Sequence, residues 1–289
     1  MSGHGDFDDT AAEFTVGAVA RELGIPLATL RSWNRRYGLG PSGHQRGRHR
    51  HYAQADLVLI RRMVELVRAG ASPASAARAA GVVVAPVLGD VAAVLQAALR
   101  LDSAELLAAV SAHFARFGVV VTWNRLCRPA FAEIVGRQER GDRFIDVEHL
   151  LSWAVATSLH RTVPLPPPRA EQTPIVLVCT AAENHVLPLE VLRAALAERG
   201  VLAVFLGPSV PDDALADALS RHDRPPYVVL WSQAVATARV SAIHAVCAGS
   251  SGVLLAGPGW FGGDLPAGVR HVNVLEDAVE YLVRATVVG

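Results

Sequence analysis

The sequence predicts a multidomain chain in which an all-α head is followed by a bundle of helices and then by an α/β domain with a parallel sheet. Three observations predict this arrangement. Arginine is concentrated between residues 15 and 68, apolar residues recur at helical spacing as far as residue 162, and short apolar runs alternate with helical patterns after residue 174. Because the 289 residues are 51% hydrophobic, the chain can form two or three domains with substantial cores.

The head, residues 14–86, starts with two short predicted helices joined by a tight turn. Thr15 is a candidate N-cap of the first helix, Gly24 ends it, and Pro26 opens the second. The polar residues on or near the outer face of the second helix are Arg31, Asn34, Arg35 and Arg36. Two short helices around a glycine turn, the second rich in arginine, are typical of a helix-turn-helix that reads DNA. Trp33 fits a core position and a DNA contact equally well.

A glycine-punctuated basic segment follows the second helix and predicts a wing that lies against phosphates. Its arginines are Arg46, Arg48 and Arg50, and Tyr52 then leads into an amphipathic helix at about residues 53–69. Residues 15–68 hold ten arginines and three acids, a net charge of about +7, although the whole chain is neutral. Such an excess attracts the DNA backbone. The alternative is a small helical domain with a solvated basic face.

Composition argues against a secreted or membrane-spanning protein. Cys127, Cys179 and Cys247 are far apart and form no C-x-x-C pair, so they predict buried thiols in a reducing cytosol rather than disulfides or a zinc site. The sequence contains no apolar signal region at its start and no run of 18 apolar residues. We therefore expect a cytoplasmic protein with no membrane partner, and a loose tail over residues 1–13.

Residues 87–163 are helical in pattern throughout and predict a four-helix bundle. The predicted helices lie near residues 89–99, 103–117, 119–138 and 144–162. In the last of them Glu148 and His149 are adjacent, and His149 shares a face with Trp153. A lone histidine among apolar residues is more often a core or rim residue than a ligand. Residues 164–173, with four prolines, predict a stiff extended linker.

Residues 174–289 alternate between strand and helix patterns, which predicts a parallel sheet covered on both faces. The predicted strands lie at residues 174–180, 201–206, 227–231, 252–256 and 269–274. The predicted helices lie at about residues 188–199, 211–221, 237–247 and 275–286. Five strands favour a flavodoxin-like, Rossmann-like order, in which ligands bind beyond the carboxyl ends of the strands. No G-x-G-x-x-G follows the first strand, which argues against a nicotinamide dinucleotide site.

Three predicted loops at those strand ends carry the candidate ligand-binding residues. They span residues 181–187, 232–234 and 257–259. The first places His185 directly after a strand and close to Glu183. A carboxylate bound to one imidazole nitrogen orients the other nitrogen toward a metal, so His185 is a candidate metal ligand. The alternative is a surface histidine that only decorates the loop.

The head resembles the MerR family of winged helix-turn-helix regulators over about 55 residues. The resemblance is carried by the run TVGAVARELGIPLATLRSWNRRYGL and by R-x-R-x-R-H-Y-x-x-x-D-L after it. It implies binding to a pseudo-palindromic operator in double-stranded DNA as a homodimer or higher homo-oligomer. By position, the residues that match the recognition helix are Arg31, Trp33, Asn34, Arg35 and Arg36. Arg48, Arg50 and Tyr52 match the wing and the start of the third helix. The resemblance implies DNA contacts by these residues, by the recognition helix, and by Thr15 and Arg46.

The succession of head, bundle and flavodoxin-like domain resembles the cobalamin-binding MerR regulators, which are light-responsive repressors that use adenosylcobalamin. In that family a D-x-H-x-x-G loop supplies the histidine below the cobalt. Here Glu183, Asn184 and His185 match its start, and Pro188 stands at the glycine. The resemblance implies a cobalamin with His185 as the lower ligand of the cobalt. The residues that correspond to the later S-x-L and G-G positions of the family are Ser232, Gly257 and Gly259.

The same family carries a W-x(9)-E-H motif over the upper face of the corrin. Glu148 and His149 match the end of this motif, and the resemblance places them with Gln138 against the cofactor. Gln138, however, stands where the motif has tryptophan, and Glu139 follows where light-sensing members have a second histidine. The known route of light sensing is therefore not expected in this chain.

Together these features predict a DNA-binding transcriptional regulator, acting as a repressor, whose C-terminal module senses a cobalamin. The alternative is the same type of regulator without cobalamin, which responds to another small ligand or to a protein partner. An enzyme is not expected. Corrinoid methyltransferases and mutases share the pair of bundle and sheet domain, but this sequence has no substrate barrel and no defensible nucleophile–base pair.

Overall fold

The computed structural model describes residues 14–39, 51–52, 54–80, 86–169, 171–260 and 266–287. The chain divides into two compact units, Met1–Val87 and Leu88–Gly289. The boundary between them lies one residue beyond the predicted end of the head at residue 86. Among the described residues, no helix is both long enough and apolar enough to cross a membrane.

Helices α1 (Val16–Glu22) and α2 (Leu27–Tyr37) form the predicted helix pair of the head. The Thr15 hydroxyl caps α1 by accepting a hydrogen bond from the backbone N–H of Ala18 at 3.3 Å. Gly24 makes the turn between the helices with a φ of +62°, a conformation that favours glycine. Pro26 is the residue before α2 and not its first helical residue, so α2 begins one residue later than predicted.

The helical head is confirmed, and it also contains two short strands. Strand β1 (Phe14–Thr15) pairs antiparallel with β2 (His51–Tyr52). Strands of two residues are too short to show an alternating pattern in the sequence, which is why we predicted an all-α head. Helices α3 (Gln54–Arg68) and α4 (Pro73–Ala79) follow β2 and complete the head.

One hydrophobic core joins the elements of the head. Side chains with no solvent exposure meet in it from α1, α2, β2 and α3: Val19, Leu30, Tyr52, Ile60 and Met63. The Arg68 guanidinium donates hydrogen bonds to the carbonyls of Leu23 and Gly24 at 3.0 and 3.3 Å. This contact fastens the end of α3 to the turn between α1 and α2.

The second unit begins with the helices of the predicted bundle. They are α5 (Val91–Leu99), α6 (Ser103–Phe117), α7 (Val119–Thr122), α8 (Arg128–Glu139) and α9 (Ile145–Thr162). Helices α7 and α8 make up the single helix predicted at residues 119–138, but a π-helical turn at Trp123–Cys127 interrupts it. Pro129 accounts for the interruption, because its nitrogen cannot donate to the α-helical ladder and its ring crowds the carbonyl four residues earlier.

A five-stranded parallel sheet follows, with the strand order β4-β3-β5-β6-β7. The strands are β3 (Ile175–Cys179), β4 (Val204–Phe205), β5 (Tyr227–Trp231), β6 (Gly252–Ala256) and β7 (Val269–Val272). This order confirms the predicted flavodoxin-like arrangement. The two edge strands, β4 and β7, are shorter than predicted, since an edge strand has a neighbour on one side only.

Helices cover both faces of the sheet. They are α10 (Leu187–Glu198), α11 (Asp212–Ser220), α12 (Val240–Cys247) and α13 (Leu275–Val287). A 3-10 turn at Val235–Thr237 precedes α12, which therefore starts later than predicted. One face of the sheet, with Leu177 and Leu254, shares its core with α10, α13 and the bundle. The other face, with Val178 and Leu255, packs against α11 and α12.

Hydrogen bonds as well as the shared core fix the bundle to the sheet domain. Both carboxylate oxygens of Glu198 accept the backbone N–H of Val119, at 3.0 and 3.1 Å. The Asn124 amide donates to the Glu276 carboxylate at 2.6 Å. The bundle and the sheet therefore form one compact unit, although the sequence predicts a linker at residues 164–173 between them.

The three cysteines are free, as the composition predicts. Cys127 and Cys179 are buried, and Cys247 is half-buried. Burial raises the pKa of the Cys127 thiol to about 12, and burial with the nearby Glu183 carboxylate raises that of Cys179 to about 12 as well. Both thiols are therefore protonated at neutral pH and act as small apolar core groups.

The core of the head provides a test of the fold. The Ile60 side chain has no solvent exposure, whereas Val58 on the same helix is 58% exposed. We expect Ile60→Ala to destabilise the head by about 2–5 kcal/mol through lost burial and a residual cavity. Val58→Ala should change its stability by about 0.5 kcal/mol or less. Native-state hydrogen exchange of the α3 amides measures both, and equal effects would contradict the packing.

Candidate functional site

Helix α2 presents three exposed arginines. Arg31, Arg35 and Arg36 are exposed, and Asn34 is half-buried. Leu30 from the same helix is fully buried, so α2 has one apolar face in the core and one cationic face in solvent. This arrangement suits a helix that contacts phosphates and base edges.

Two of the expected DNA contacts are core residues instead. Trp33 is 7% exposed and Tyr52 has no solvent exposure, so neither side chain reaches a surface that DNA could touch. Both side chains belong to the hydrophobic core of the head. Thr15 is exposed, and its hydroxyl caps α1. Arg46, Arg48 and Arg50 lie outside the described residues.

In the second unit, a buried carboxylate organises the loop after β3. The Glu183 side chain is 1% exposed and accepts hydrogen bonds from four groups. Two come from His185, through its backbone N–H at 2.9 Å and its Nδ1 at 2.6 Å. The other two come from the loop after β5, through the Gln233 N–H and the Thr237 hydroxyl, both at 2.7 Å.

These donors decide the charge of Glu183. Burial by itself raises the pKa of a carboxyl group, but the hydrogen bonds from His185, Thr237 and Gln233 outweigh it and lower the pKa of Glu183 to about 2. The group is therefore an ionised carboxylate at neutral pH. An ionised carboxylate can only accept, so the Nδ1 atom of His185 carries the proton in this contact.

His185 combines an exposed ring with a fixed tautomer. Its side chain is 65% exposed, and Nδ1 is engaged by Glu183. In the neutral ring the lone pair is then on Nε2, which is the form that binds a metal. The Glu183 side chain, one methylene longer than an aspartate, thus reaches the His185 ring and holds its orientation. Asn184, between the two, is exposed.

Two residues with left-handed backbone conformations support the histidine loop. Ala182 has a φ of +67° and Ser209, in the loop after β4, has a φ of +49°. The Ala182 N–H donates to the Ser209 hydroxyl at 3.0 Å, and the Ser209 N–H donates to the Glu183 carbonyl at 2.8 Å. The loops after β3 and β4 therefore hold each other in a conformation that is costly for residues with a Cβ atom.

The expected residues Ser232, Gly257 and Gly259 join the loops after β5 and β6. The Ser232 hydroxyl is buried, 2.7 Å from the Thr237 hydroxyl and 2.8 Å from the Ala234 carbonyl. A Cβ atom at Gly259 would lie 2.7 Å from the Ser232 hydroxyl and closer still to the Ala234 carbonyl. A Cβ atom at Gly257, which has a φ of +104°, would lie 2.3 Å from the Ser232 carbonyl oxygen. The contact between the two loops therefore requires glycine at both positions, and this requirement does not depend on a bound ligand.

A cavity of about 750 Å³ lies at the carboxyl ends of β5, β6 and β7. Its walls include Leu189 and Leu192 of α10, Ala278 of α13 and Trp231 of β5, and the bundle contributes Trp123 and Arg128. Ligands of doubly wound sheets bind at this edge. Pro188, which replaces the glycine of the family's loop, also lines it.

The bundle residues expected to face a cofactor do not line this cavity. The Gln138 amide donates a hydrogen bond to the Glu148 carboxylate at 2.9 Å, so these two residues, ten positions apart in the sequence, are in contact. His149 is exposed on α9, in line with Ile145 and Trp153, which are 65% and 46% exposed. These residues form a separate surface of the bundle.

No sequence pattern marks Thr237, Ser209, Trp123 or Arg128 as site residues. Thr237 reaches Glu183 across 54 positions of the chain, and Ser209 reaches Ala182 across 27. Contacts of this range leave no periodic pattern. The predicted sheet order could have pointed to the loops that carry Thr237 and Ser209, because it places the ends of β3, β4 and β5 side by side.

The depressed pKa of Glu183 generates a prediction for stability. The carboxyl has a pKa near 4.5 in the unfolded chain and about 2 in the folded one. Its ionised form thus stabilises the fold by about 3 kcal/mol above pH 4.5, and this contribution disappears as the pH falls toward 2. Glu183→Gln should remove that part of the acid sensitivity, measured by urea denaturation between pH 2.5 and 7. The control Glu139→Gln, at an exposed helix end, should retain it.

Comparisons with known proteins bear on each unit. Residues 14–80 match the model of the MerR HTH family regulatory proteins. The solved monomethylamine corrinoid protein of Methanosarcina barkeri is 9% identical, with a TM-score of 0.51 over 67% of this chain and 96% of that chain. Identity this low shows the fold alone. No curated protein matches the chain.

Two further solved structures are similar at lower scores. One is a methanol:cobalamin methyltransferase complex from Methanosarcina barkeri, with 12% identity and a TM-score of 0.34 over 67% of this chain and 80% of that chain. The other is a cobalamin-binding protein from Desulfitobacterium hafniense DCB-2, with 16% identity and a TM-score of 0.32 over 68% of this chain and 98% of that chain. The chain thus combines a MerR-type helix-turn-helix domain at its N-terminus with a second unit that has the fold of the Methanosarcina corrinoid protein.

Proposed function

We propose that this chain is a transcriptional regulator, acting as a repressor, whose second unit senses a cobalamin. The observation that carries the proposal is His185, an exposed imidazole whose Nδ1 is held by a buried carboxylate and whose Nε2 is left to bind a metal. The match of residues 14–80 to the MerR HTH family model supports the DNA-binding part of this proposal. A sensor on the same chain gives that regulator its signal.

The donor set of the site fits a metal that brings its own ligands. Among the described residues, no group of three or more histidine, cysteine or acidic side chains could hold a bare metal ion. A single imidazole is a weak site for such an ion but a sufficient axial ligand for a metal already held in a macrocycle. A corrin already supplies ring nitrogens to its cobalt, so one protein side chain is enough to hold it. His185 would be that side chain, with Glu183 fixing its tautomer.

The head supplies the affinity for DNA. Exposed arginines on α2 neutralise phosphates and displace counterions, so binding should weaken as the salt concentration rises. We propose a pseudo-palindromic operator bound by two or more copies of the chain. Cobalamin binding would change how the bundle packs against the sheet domain. That change would alter the oligomer in which the DNA-binding heads contact the operator.

A second candidate function is the same regulator with another small ligand or a protein partner in place of the cobalamin. The hydrogen bond between Gln138 and Glu148 favours it. Gln138 stands where the W-x(9)-E-H motif has tryptophan, and Glu148 is the acid of that motif. The amide and the carboxylate bind each other, and no aromatic side chain occupies the tryptophan position. The adenosyl form of the cofactor therefore has no dedicated partner at Gln138.

Removing one exposed arginine tests the DNA interface. Arg36 is exposed on α2, whereas Arg62 is exposed on α3 and paired with Glu65 at 3.2 Å. We expect Arg36→Ala to weaken binding to the promoter of its own gene and to reduce the slope of log K against log salt by about 1. Arg62→Ala should change neither quantity. Fluorescence anisotropy at several salt concentrations measures both, and identical losses would indicate nonspecific charge attraction only.

Removing the axial imidazole tests the sensor. We expect His185→Ala to weaken binding of aquacobalamin by about 100-fold or more, because changes even to the partners of a metal ligand cost about 10- to 100-fold. His244→Ala changes an exposed histidine on α12 and should bind as the wild type does. Ultrafiltration gives the affinity, and the visible spectrum reports whether the cobalt has an imidazole ligand. Unchanged binding in His185→Ala would favour the second candidate function.

A further inference from the structure

The first turn of helix α2 has few contacts of its own. Pro26, the residue before the helix, makes no side-chain hydrogen bond that would cap it. Leu27, the first helical residue, is 38% exposed, and Leu30 is the first residue of the helix that is buried. The hydrophobic core therefore holds the middle of α2, and its first turn must be held in another way.

Helices α1 and α4 of the head do have side-chain caps. The Thr15 hydroxyl accepts the Ala18 N–H at 3.3 Å, and the Ser72 hydroxyl accepts the Ser75 N–H at 3.2 Å. A cap of this kind ties the first turn of a helix to the residue before it and so fixes the direction in which the helix starts. Helix α2 lacks this device, although it carries the exposed arginines of the DNA-reading motif.

The turn before α2 is held from a distant part of the chain. The N–H groups of Leu23, Gly24 and Ile25 bond to carbonyls of α1. The carbonyls of Leu23 and Gly24 accept hydrogen bonds from the Arg68 guanidinium, at 3.0 and 3.3 Å. Arg68 is the last residue of α3 and lies 45 and 44 positions further along the sequence. The turn that leads into α2 is thus attached to the end of another helix.

Gly24 leaves the space for this contact. A Cβ atom at Gly24 would lie 3.1 Å from the Nη2 atom of Arg68, which is closer than most Cβ atoms come to a neighbour. A cation at the carboxyl end of α1 is also favourable, because the last carbonyls of a helix carry partial negative charge. The shape of the turn and the charge of its distant partner therefore suit each other.

Helix α3 gives Arg68 a fixed base. The Ile60 and Met63 side chains of α3 have no solvent exposure, so the core of the head anchors this helix. Arg61 of α3 also pairs with Glu22 of α1 at 2.5 Å. These two side chains are 52% and 39% exposed, so solvent weakens their attraction, and the pair lies on α1 and not on the turn. Arg68 connects the anchored helix to the residues directly before α2.

We propose that Arg68 is a positioning residue for DNA recognition, which fixes the first turn of α2 and thereby the base sequence that this helix prefers. In helix-turn-helix proteins the N-terminal residues of the recognition helix contact the base edges. Contacts to bases depend on hydrogen-bond geometry, whereas attraction to phosphates depends mainly on charge. The inference rests on the proposed DNA-binding function and goes beyond it, because it assigns sequence discrimination to a residue that acts through the turn.

The first test measures discrimination with the full-length protein. Fluorescence anisotropy at several salt concentrations gives its affinity for two duplexes of equal length, the promoter of its own gene and a scrambled sequence of the same composition. We expect Arg68→Ala to reduce the preference for the promoter by about tenfold, which is the size of one good base contact. Arg62→Ala removes an exposed charge from the same helix and should retain the preference.

The scrambled duplex separates positioning from direct contact with DNA. Because Arg68 acts through the turn, Arg68→Ala should bind this duplex as Arg62→Ala does, with the same salt slope. A slope reduced by about 1 would show that Arg68 neutralises a phosphate. An equal loss of affinity for both duplexes would show that the residue does not affect discrimination. Either result would overturn the proposal.

Hydrogen exchange without DNA separates positioning from general stability. The amides of Ile25 and Thr29 donate hydrogen bonds within the turn and the first turn of α2, at 3.1 and 2.9 Å. We expect Arg68→Ala to speed exchange at both amides by about tenfold, since it removes two hydrogen bonds from a charged group. Exchange at Met63, in the middle of α3, should stay as in the wild type. Equal acceleration at all three amides would show that Arg68 only stabilises the head.

The failure of the proposed function has a different signature. If the wild-type protein binds the promoter no better than the scrambled duplex, then operator recognition fails, and the role of Arg68 in it fails too. If the wild-type protein discriminates and Arg68→Ala discriminates equally well, then the DNA-binding function stands and the positioning role is wrong.

Discussion

The candidate site depends on one buried carboxylate. Glu183 draws the loop after β3 and the loop after β5 together through four hydrogen bonds, and it does so while almost completely excluded from water. Without an anion at this position, four donors would converge on a point with nothing to accept them. The same charge places the proton of His185 on Nδ1. Loop geometry and the chemistry of the histidine therefore have one common cause.

The two units use electrostatics in opposite ways. In the head, arginines stay exposed and their charge acts outward, on a polyanion in solvent. In the second unit, the decisive charge is buried and acts over hydrogen-bond distances on its own loops. Salt screens the first kind of interaction strongly and the second weakly. A change in ionic strength should therefore alter DNA binding long before it alters the geometry around His185.

Sequence pattern predicted the long and regular elements well. Helix α6 and strands β5 and β6 have the predicted bounds, because capping by Asp102 and continuous apolar runs are local signals. The pairing of β1 with β2 and the 3-10 turn before α12 lack any such signal, being too short for a period. In the site, the adjacency of Glu183 and His185 was visible in the sequence. The contribution of Thr237 was not, since only the folded sheet brings its loop to Glu183.

The glycines at 257 and 259 also bear on how this fold could change over evolutionary time. They are confined by backbone atoms of the facing loop, so almost any substitution there would disturb the scaffold. The cavity walls, in contrast, are formed by side chains such as those of Trp231 and Leu192. A substitution in a wall changes the shape of the cavity, whereas a substitution at either glycine changes the loops that carry the site.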